Sequence, residues 1–217
     1  MRYVAMLVAF EVILAGTLFG SAGRIDLPWF WALIGAHALV MGVGFLAMGE
    51  ELRRARTRRR GGGVDRVFRT LMLVLIVVHL VVAGLDAGRF DWSPALSPGV
   101  HAVGLVLYFA GLVLSMWAVC VNRFFEPTVR IQADRGQYPV TGGPYGFVRH
   151  PGYAGMVVAV FAECLVFGSL WAAVPAALFA ATVAARTAME DRMLRERLNG
   201  YAQYAAAVRF RLVPRVW

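Results

Sequence analysis

Four apolar stretches, each about 20 residues long, follow one another in the first 121 positions: 3–20, 28–49, 67–85 and 100–121. At 1.5 Å per residue, a helix of about 20 residues spans the roughly 30 Å of a bilayer's hydrocarbon. In that solvent every backbone polar group has to be paired within its own segment, so such stretches are helices. The composition agrees: 59% hydrophobic and 16% charged is too apolar for an ordinary soluble domain. The expected fold is an all-α polytopic membrane protein, one membrane domain over 1–217, with transmembrane helices 1–4 in 1–121. A fifth apolar run, 153–185, is too long for one span and short for two. Gly168, Ser169 and Pro175 break it, which predicts a helical hairpin turning near Gly168. Beyond it, Leu194, Leu198 and Tyr201 recur at helical spacing, giving a cytoplasmic amphipathic segment on the membrane surface.

Charge placement sets an orientation. All 22 basic residues are arginine, and the net charge is +9. The segments 50–66, 122–152 and 186–217 carry +4, +2 and +4, whereas 21–27 is neutral and 86–99 carries −1. An excess of arginine marks cytoplasmic loops. Both termini and segments 122–152 and 186–217 therefore fall on one side, where they can build one site. The arginines at 53–60 read first as a topology signal, with attraction to anionic lipid as an addition. No nucleic-acid-binding motif accompanies them. Cys120 and Cys164 lie in apolar runs and make neither metal spacing nor a disulfide framework. No cleavable signal peptide is expected, because the first run carries Glu11 and lacks a small-residue cleavage site. His37, His79 and His101 are too dispersed for a metal site. Glu11 and Glu163 sit in apolar runs and are expected to face protein, because an intramembrane acid is expensive. Gly16 and Gly20 offer a possible helix contact.

The chemistry gathers in 132–155, QADRGQYPVTGGPYGFVRHPGYAG. Gly142, Gly143 and Pro144 make a turn. Pro151 suits the first turn of a helix, and the free N–H groups of that turn, with Arg149 beside them, favour an anion. An interfacial arginine at the start of a membrane helix is the equally plain alternative. Arg186 and Glu190 are four apart and share a helix face, either as a surface ion pair or as the holders of an anion and a cation.

The run GPYGFVRHPGYAG, an apolar hairpin, RTAMED, then YAQY and RLVP resembles the isoprenylcysteine carboxyl methyltransferase family. That family lies within a wider group of integral-membrane methyltransferases that includes the phospholipid N-methyltransferases. The resemblance covers about 122–217; the first hundred residues match only as apolar spans. It implies S-adenosylmethionine as methyl donor. Carried over residue by residue, it implies donor contacts from Gln132, Gln137, Tyr138, Pro139, Val140, Tyr145, His150, Pro151, Gly152, Tyr153 and Glu190. It implies that Arg186 binds substrate, and a catalytic set of Arg149, Arg186 and Glu190. Three departures bear on the substrate more than on the donor: Asp191 where a second Glu is common, Leu198-Asn199-Gly200 where Phe-Gly is common, and Gln137 where His is common.

The implied activity is methyl transfer to a lipophilic or lipidated acceptor drawn from membrane lipids, most simply carboxyl O-methylation of an isoprenylcysteine-like substrate. The implied place is a bacterial inner membrane, with the site on the cytoplasmic side. A carboxylate acceptor needs only a cation to hold it; an amine would have to lose a proton, and the sequence shows no well-placed base. Alternatives are a phospholipid N-methyltransferase, a sterol-reductase-like enzyme using NADPH, and a non-catalytic protein on the same scaffold. Reductases of that kind carry a similar RHPxYxG but often an acid after it, where this chain has Met156. No G-x-G-x-x-G follows a strand pattern, which excludes the soluble dinucleotide-type fold.

Overall fold

The computed structural model describes residues 2–49, 63–126 and 128–217. These form seven α-helices and no strand: α1 (Arg2–Ala22), α2 (Pro28–Ala47), α3 (Gly63–Gly84), α4 (Pro98–Val121), α5 (Pro151–Phe167), α6 (Ala173–Arg197) and α7 (Tyr201–Ala207). The arginine run at 53–60 lies outside the described residues. Proline occupies the first turn of α2, α4 and α5, where its missing N–H breaks no helical bond.

Among the described residues, four segments are long and apolar enough to cross a membrane: Val4–Ala22, Pro28–Ala47, Asp65–Phe90 and Pro98–Val121. The third overruns its expected end at 85 because the chain continues as a π-helical turn, Leu85–Phe90. Asp86 holds that turn. Its fully buried carboxylate accepts from the Ser93 N–H at 2.7 Å, Ser93 Oγ at 2.6 Å and Ser169 Oγ at 2.5 Å. The loop after α3 is thereby pinned to the turn between α5 and α6.

That turn falls at Gly168, as the break in the apolar run predicts. Gly168 adopts a left-handed conformation (φ 72°), and a Cβ there would lie 2.9 Å from the His101 ring. The second arm of the hairpin does not stop at 185. It runs unbroken through Arg186 to Arg197, so one rigid helix carries both the membrane arm and the basic face. Gly200 (φ 81°) then redirects the chain into α7. The stripe of Leu194, Leu198 and Tyr201 is buried against Tyr145 and Tyr204, so it packs inward beneath segment 122–150. Burying each large side chain of this cluster contributes about 1.5–3 kcal/mol.

Helices α4 and α5 touch backbone to backbone. A Cβ on Gly155 would overlap the Gly111 carbonyl and Ser115 Oγ, and Ser115 Oγ donates to the Gly152 carbonyl at 3.0 Å. This close approach fixes the first turn of α5, where the motif residues sit. Gly16 and Gly20, by contrast, meet no other part of the described chain within 4 Å of an added Cβ. The acids within the membrane segments are paired. Glu11 meets His37 Nδ1 at 2.6 Å, linking α1 to α2, and Glu163 meets His79 Nε2 at 3.0 Å, linking α5 to α3.

The start of α3, the end of α4, the start of α5 and the end of α6 converge at one end of the bundle, around Asp65, Asn122, Tyr153 and Arg186. The Asp86 lock marks the opposite end.

Candidate functional site

Beyond α4 the chain does not return directly to the membrane. Asn122 caps that helix end: its Oδ1 accepts the Phe124 N–H at 2.9 Å, and its Nδ2 donates to the Tyr145 hydroxyl at 3.2 Å. Segment 122–150 then folds over the bundle end and encloses a cavity floored by α5, α6 and α7.

Ten of the eleven residues expected to touch the donor line this cavity. They are Gln132, Gln137, Tyr138, Pro139, Val140, Tyr145, His150, Gly152, Tyr153 and Glu190. Pro151 does not line it; its place is the first position of α5. The two glutamines also shape the loop. The Gln132 N–H donates to Gln137 Oε1 at 2.7 Å, Gln132 Nε2 donates to the Phe124 carbonyl at 2.7 Å, and Arg135 donates to Gln132 Oε1 at 2.6 Å. Tyr138 is half exposed and stands edge-on to Phe124, with ring centres 5.1 Å apart. Tyr145 is buried, its carbonyl accepting the Tyr204 hydroxyl at 2.7 Å. A Cβ on Gly152 would press on the Phe125 ring at 3.0 Å, so the wall needs glycine there.

Three residues form a relay along one wall. Arg186 Nε donates to the Tyr153 hydroxyl at 2.8 Å, and that hydroxyl donates to Glu190 Oε2 at 2.8 Å. Tyr153 and Glu190 face the cavity, and Arg186 lies behind them. The i,i+4 pair is therefore not a simple surface ion pair: Arg186 is 3% exposed, and a tyrosine from another helix stands between the two charges.

Arg149 is arranged differently. Nε and Nη2 clasp Asp191 at 2.7 and 3.0 Å, while Nη1 donates to the Val208 and Arg209 carbonyls, each at 2.8 Å. Asp191 is fully buried and also meets His150 Nε2 at 3.4 Å, the Tyr201 hydroxyl at 3.0 Å, Arg195 at 3.2 Å and Arg211 at 3.0 Å. Burial by itself would raise this carboxyl; hydrogen bonds from His150, Arg149 and Arg211 outweigh it and hold the group well below the usual carboxylate range. The C-terminal tail is sewn on at the same point, with the Arg149 and His150 N–H groups donating to the Phe210 and Arg211 carbonyls at 2.9 Å each.

Several lining residues escape a sequence reading. Asn122, Phe124, Glu126, Met193, Leu198, Tyr201 and Tyr204 face the cavity without belonging to its central motif. The tyrosines of YAQY are the one detectable signal. Asp65 carries none: it reads as one acid in an arginine-rich loop, yet its Oδ1 lies 3.3 Å from Arg186 Nη1.

Residues 100–200 match the family model of the phospholipid methyltransferases. The match spans α4, the cavity segment, α5, α6 and the turn into α7, just under half of the chain. It marks this stretch as similar to enzymes of the integral-membrane methyltransferase group. It does not single out the isoprenylcysteine carboxyl methyltransferases within that group. No curated protein matches the chain.

Proposed function

We propose that this protein is an S-adenosylmethionine-dependent integral-membrane methyltransferase, acting on a lipophilic acceptor that reaches the cavity from the bilayer. The family match supports methyl transfer rather than nicotinamide chemistry. The observation that carries the reading is the Arg186–Tyr153–Glu190 relay on the cavity wall.

The residues present suit the donor. Its sulfonium and ammonium are cations, and Glu190 brings a carboxylate to the cavity surface. Its adenine is flat and aromatic, and Phe124 and Tyr138, in edge-to-face contact with each other, offer it an aromatic stretch of cavity wall. Its ribose hydroxyls need polar partners, which Gln137 and Glu126 offer on the same wall. When bound, the donor supplies an electrophilic methyl group on sulfur. The chain's task is then to hold an acceptor in line with that methyl and to exclude water, because positioning accounts for most of the rate in such a displacement.

Arg186 is the residue assigned to the acceptor; it is nearly buried behind Tyr153, so an acceptor entering from the bilayer reaches it only as that ring moves aside. The role of Arg186 would be to hold a carboxylate oxygen in line with the methyl group that a bound donor would supply, the carbon–sulfur electron pair then remaining with the donor's sulfur. No proton moves, so no base is required. This makes carboxyl O-methylation of an isoprenylcysteine-like substrate the first reading. Phospholipid N-methylation is the second, favoured by the family match and by Glu190, a carboxylate with Tyr153 beside it that can accept an amine's proton. Arg149, with donors on Asp191 and on two carbonyls, is assigned to positioning the His150–Tyr153 turn, not to the reactants. The basic segments 122–152 and 186–217 that surround the site support a cytoplasmic side for it, in the cell membrane we assign to the protein.

The test is direct. Purified protein should bind S-adenosylmethionine in calorimetry. It should then transfer labelled methyl either to an S-farnesylated cysteine with a free carboxylate or to phosphatidylethanolamine vesicles. Binding of a nicotinamide instead, or of neither, would remove the proposal.

A further inference from the structure

The seat of Arg186 is not built by α5 and α6 alone. Two residues of α3, three apart on one face, reach it: the Asp65 carboxylate at 3.3 Å from Nη1, and the Phe68 ring, whose centre is 5.9 Å from the guanidinium carbon. The other oxygen of Asp65 has a second partner. Oδ2 accepts the Val129 N–H at 3.1 Å, and Val129 belongs to the segment that covers the cavity. One buried carboxylate, 6% exposed, thus stands at ion-pair distance from the arginine assigned to the acceptor with one oxygen and accepts a hydrogen bond from the cover of the cavity with the other.

We propose that Asp65 is a positioning residue for methyl transfer, setting the orientation of Arg186 and anchoring segment 128–132 over the donor. This rests on the reading that Arg186 holds the acceptor. The physical reason is desolvation: a guanidinium in a nearly dry wall points toward its counter-charge. Tyr153 hydrogen-bonds that guanidinium and Asp65 stands at ion-pair distance from it, one from each of two helices, so both bias where it points. The acceptor then meets a preset arginine instead of a mobile one. Asp65 also moderates the charge Arg186 has left to offer, so its removal should tighten the hold on an anionic acceptor while spoiling its alignment. A purely structural residue would produce no such split.

The full chain in detergent tests this with two variants. Asp65→Asn keeps an oxygen for the Val129 N–H and loses the charge; Asp65→Ala loses both. Asp65→Asn should retain S-adenosylmethionine affinity and slow exchange of the Val129 amide. Its kcat with the farnesylated cysteine should fall by about 10-fold as alignment is lost, with KM unchanged or lower. Asp65→Ala should share that fall and also exchange the Val129 amide about 10-fold faster, the loss of one charge-assisted hydrogen bond. Should Asp65→Ala not fold, Val129→Pro removes the same hydrogen bond from the other partner, and faster exchange of the neighbouring Arg130 and Ile131 amides is then the readout. Wild-type kcat in Asp65→Asn, or unchanged amide exchange in Asp65→Ala, overturns the inference. A wild-type protein that binds no donor overturns the proposed function instead. One that binds donor but methylates only phosphatidylethanolamine moves the kinetic comparison to that acceptor, and amide exchange decides the anchoring role in either case.

Discussion

Arg149 and Asp191 meet edge to edge, Nε to Oδ1 at 2.7 Å and Nη2 to Oδ2 at 3.0 Å, across 42 positions of sequence. Both side chains are almost completely buried, but Asp191 also has Arg195 and Arg211 beside it, so losing Asp191 strands a charge more completely than losing Arg149 does. Asp191→Ala should cost about 3–5 kcal/mol, the usual penalty for stranding a buried charge, and Arg149→Ala should cost less. The double replacement should cost less than the sum. Chemical denaturation of the two single variants and the double variant in detergent checks this; additive losses would show that the pair is not coupled.

Acid should act on the same residue. Asp191 has a folded-state value held below its unfolded value of about 4, so its contribution to stability is complete above that unfolded value. The contribution is then lost progressively as pH falls toward the folded value. Thermal midpoints should therefore hold steady above about pH 5 and decline below about pH 4. Asp191→Asn, less stable at neutral pH, should flatten that decline; a variant as acid-sensitive as the wild type would assign the effect to another group.

The bundle also predicts sidedness. Gln203 on α7 and Ala95 before α4 are exposed at opposite ends. In a background with Cys120 and Cys164 replaced by alanine, Gln203→Cys should react with an impermeant maleimide only from the cytoplasmic face. Ala95→Cys should react only from the other. Labelling of both from one face would invert or break the assigned topology.

How much of this was written in the sequence depended on how local each signal was. The membrane spans and the turn at Gly168 were legible, because apolar length and a left-handed glycine act on neighbouring residues alone. So was most of the cavity lining, whose residues lie largely in one stretch of 24 residues from Gln132 to Gly155, joined by Glu190. Asp65 was not, since its partner lies on α6 and only tertiary packing brings them together. Asp191 was read as a departure from a Glu-Glu pattern; its donors come from His150, Arg149, Arg195, Tyr201 and Arg211, and no spacing reveals that convergence. Arg149 lines the cavity, as a residue beside that helix start suggests, but its clasp on Asp191 could not be read from the sequence.

The relay on the cavity wall separates two roles that share one helix face. Glu190 presents its carboxylate to the cavity, while Arg186 sits behind Tyr153 and toward α3. Glu190→Gln removes the charge we assign to the donor's ammonium but keeps an acceptor for the Tyr153 hydroxyl. Donor affinity should fall by about 10–100-fold, the worth of a charge-assisted hydrogen bond. Arg186→Ala leaves that carboxylate in place, so donor affinity should change little. Turnover should collapse, because an unheld acceptor loses its near-attack geometry. Tyr153→Phe distinguishes a relay from two independent sites. It cuts the hydrogen bonds to both neighbours while leaving both charges, so a relay predicts a loss in donor affinity and in kcat together. Calorimetry with S-adenosylmethionine and steady-state kinetics with a working acceptor read all three variants. Reversed effects for Glu190→Gln and Arg186→Ala, or a Tyr153→Phe variant matching the wild type, would mean that these roles are wrong.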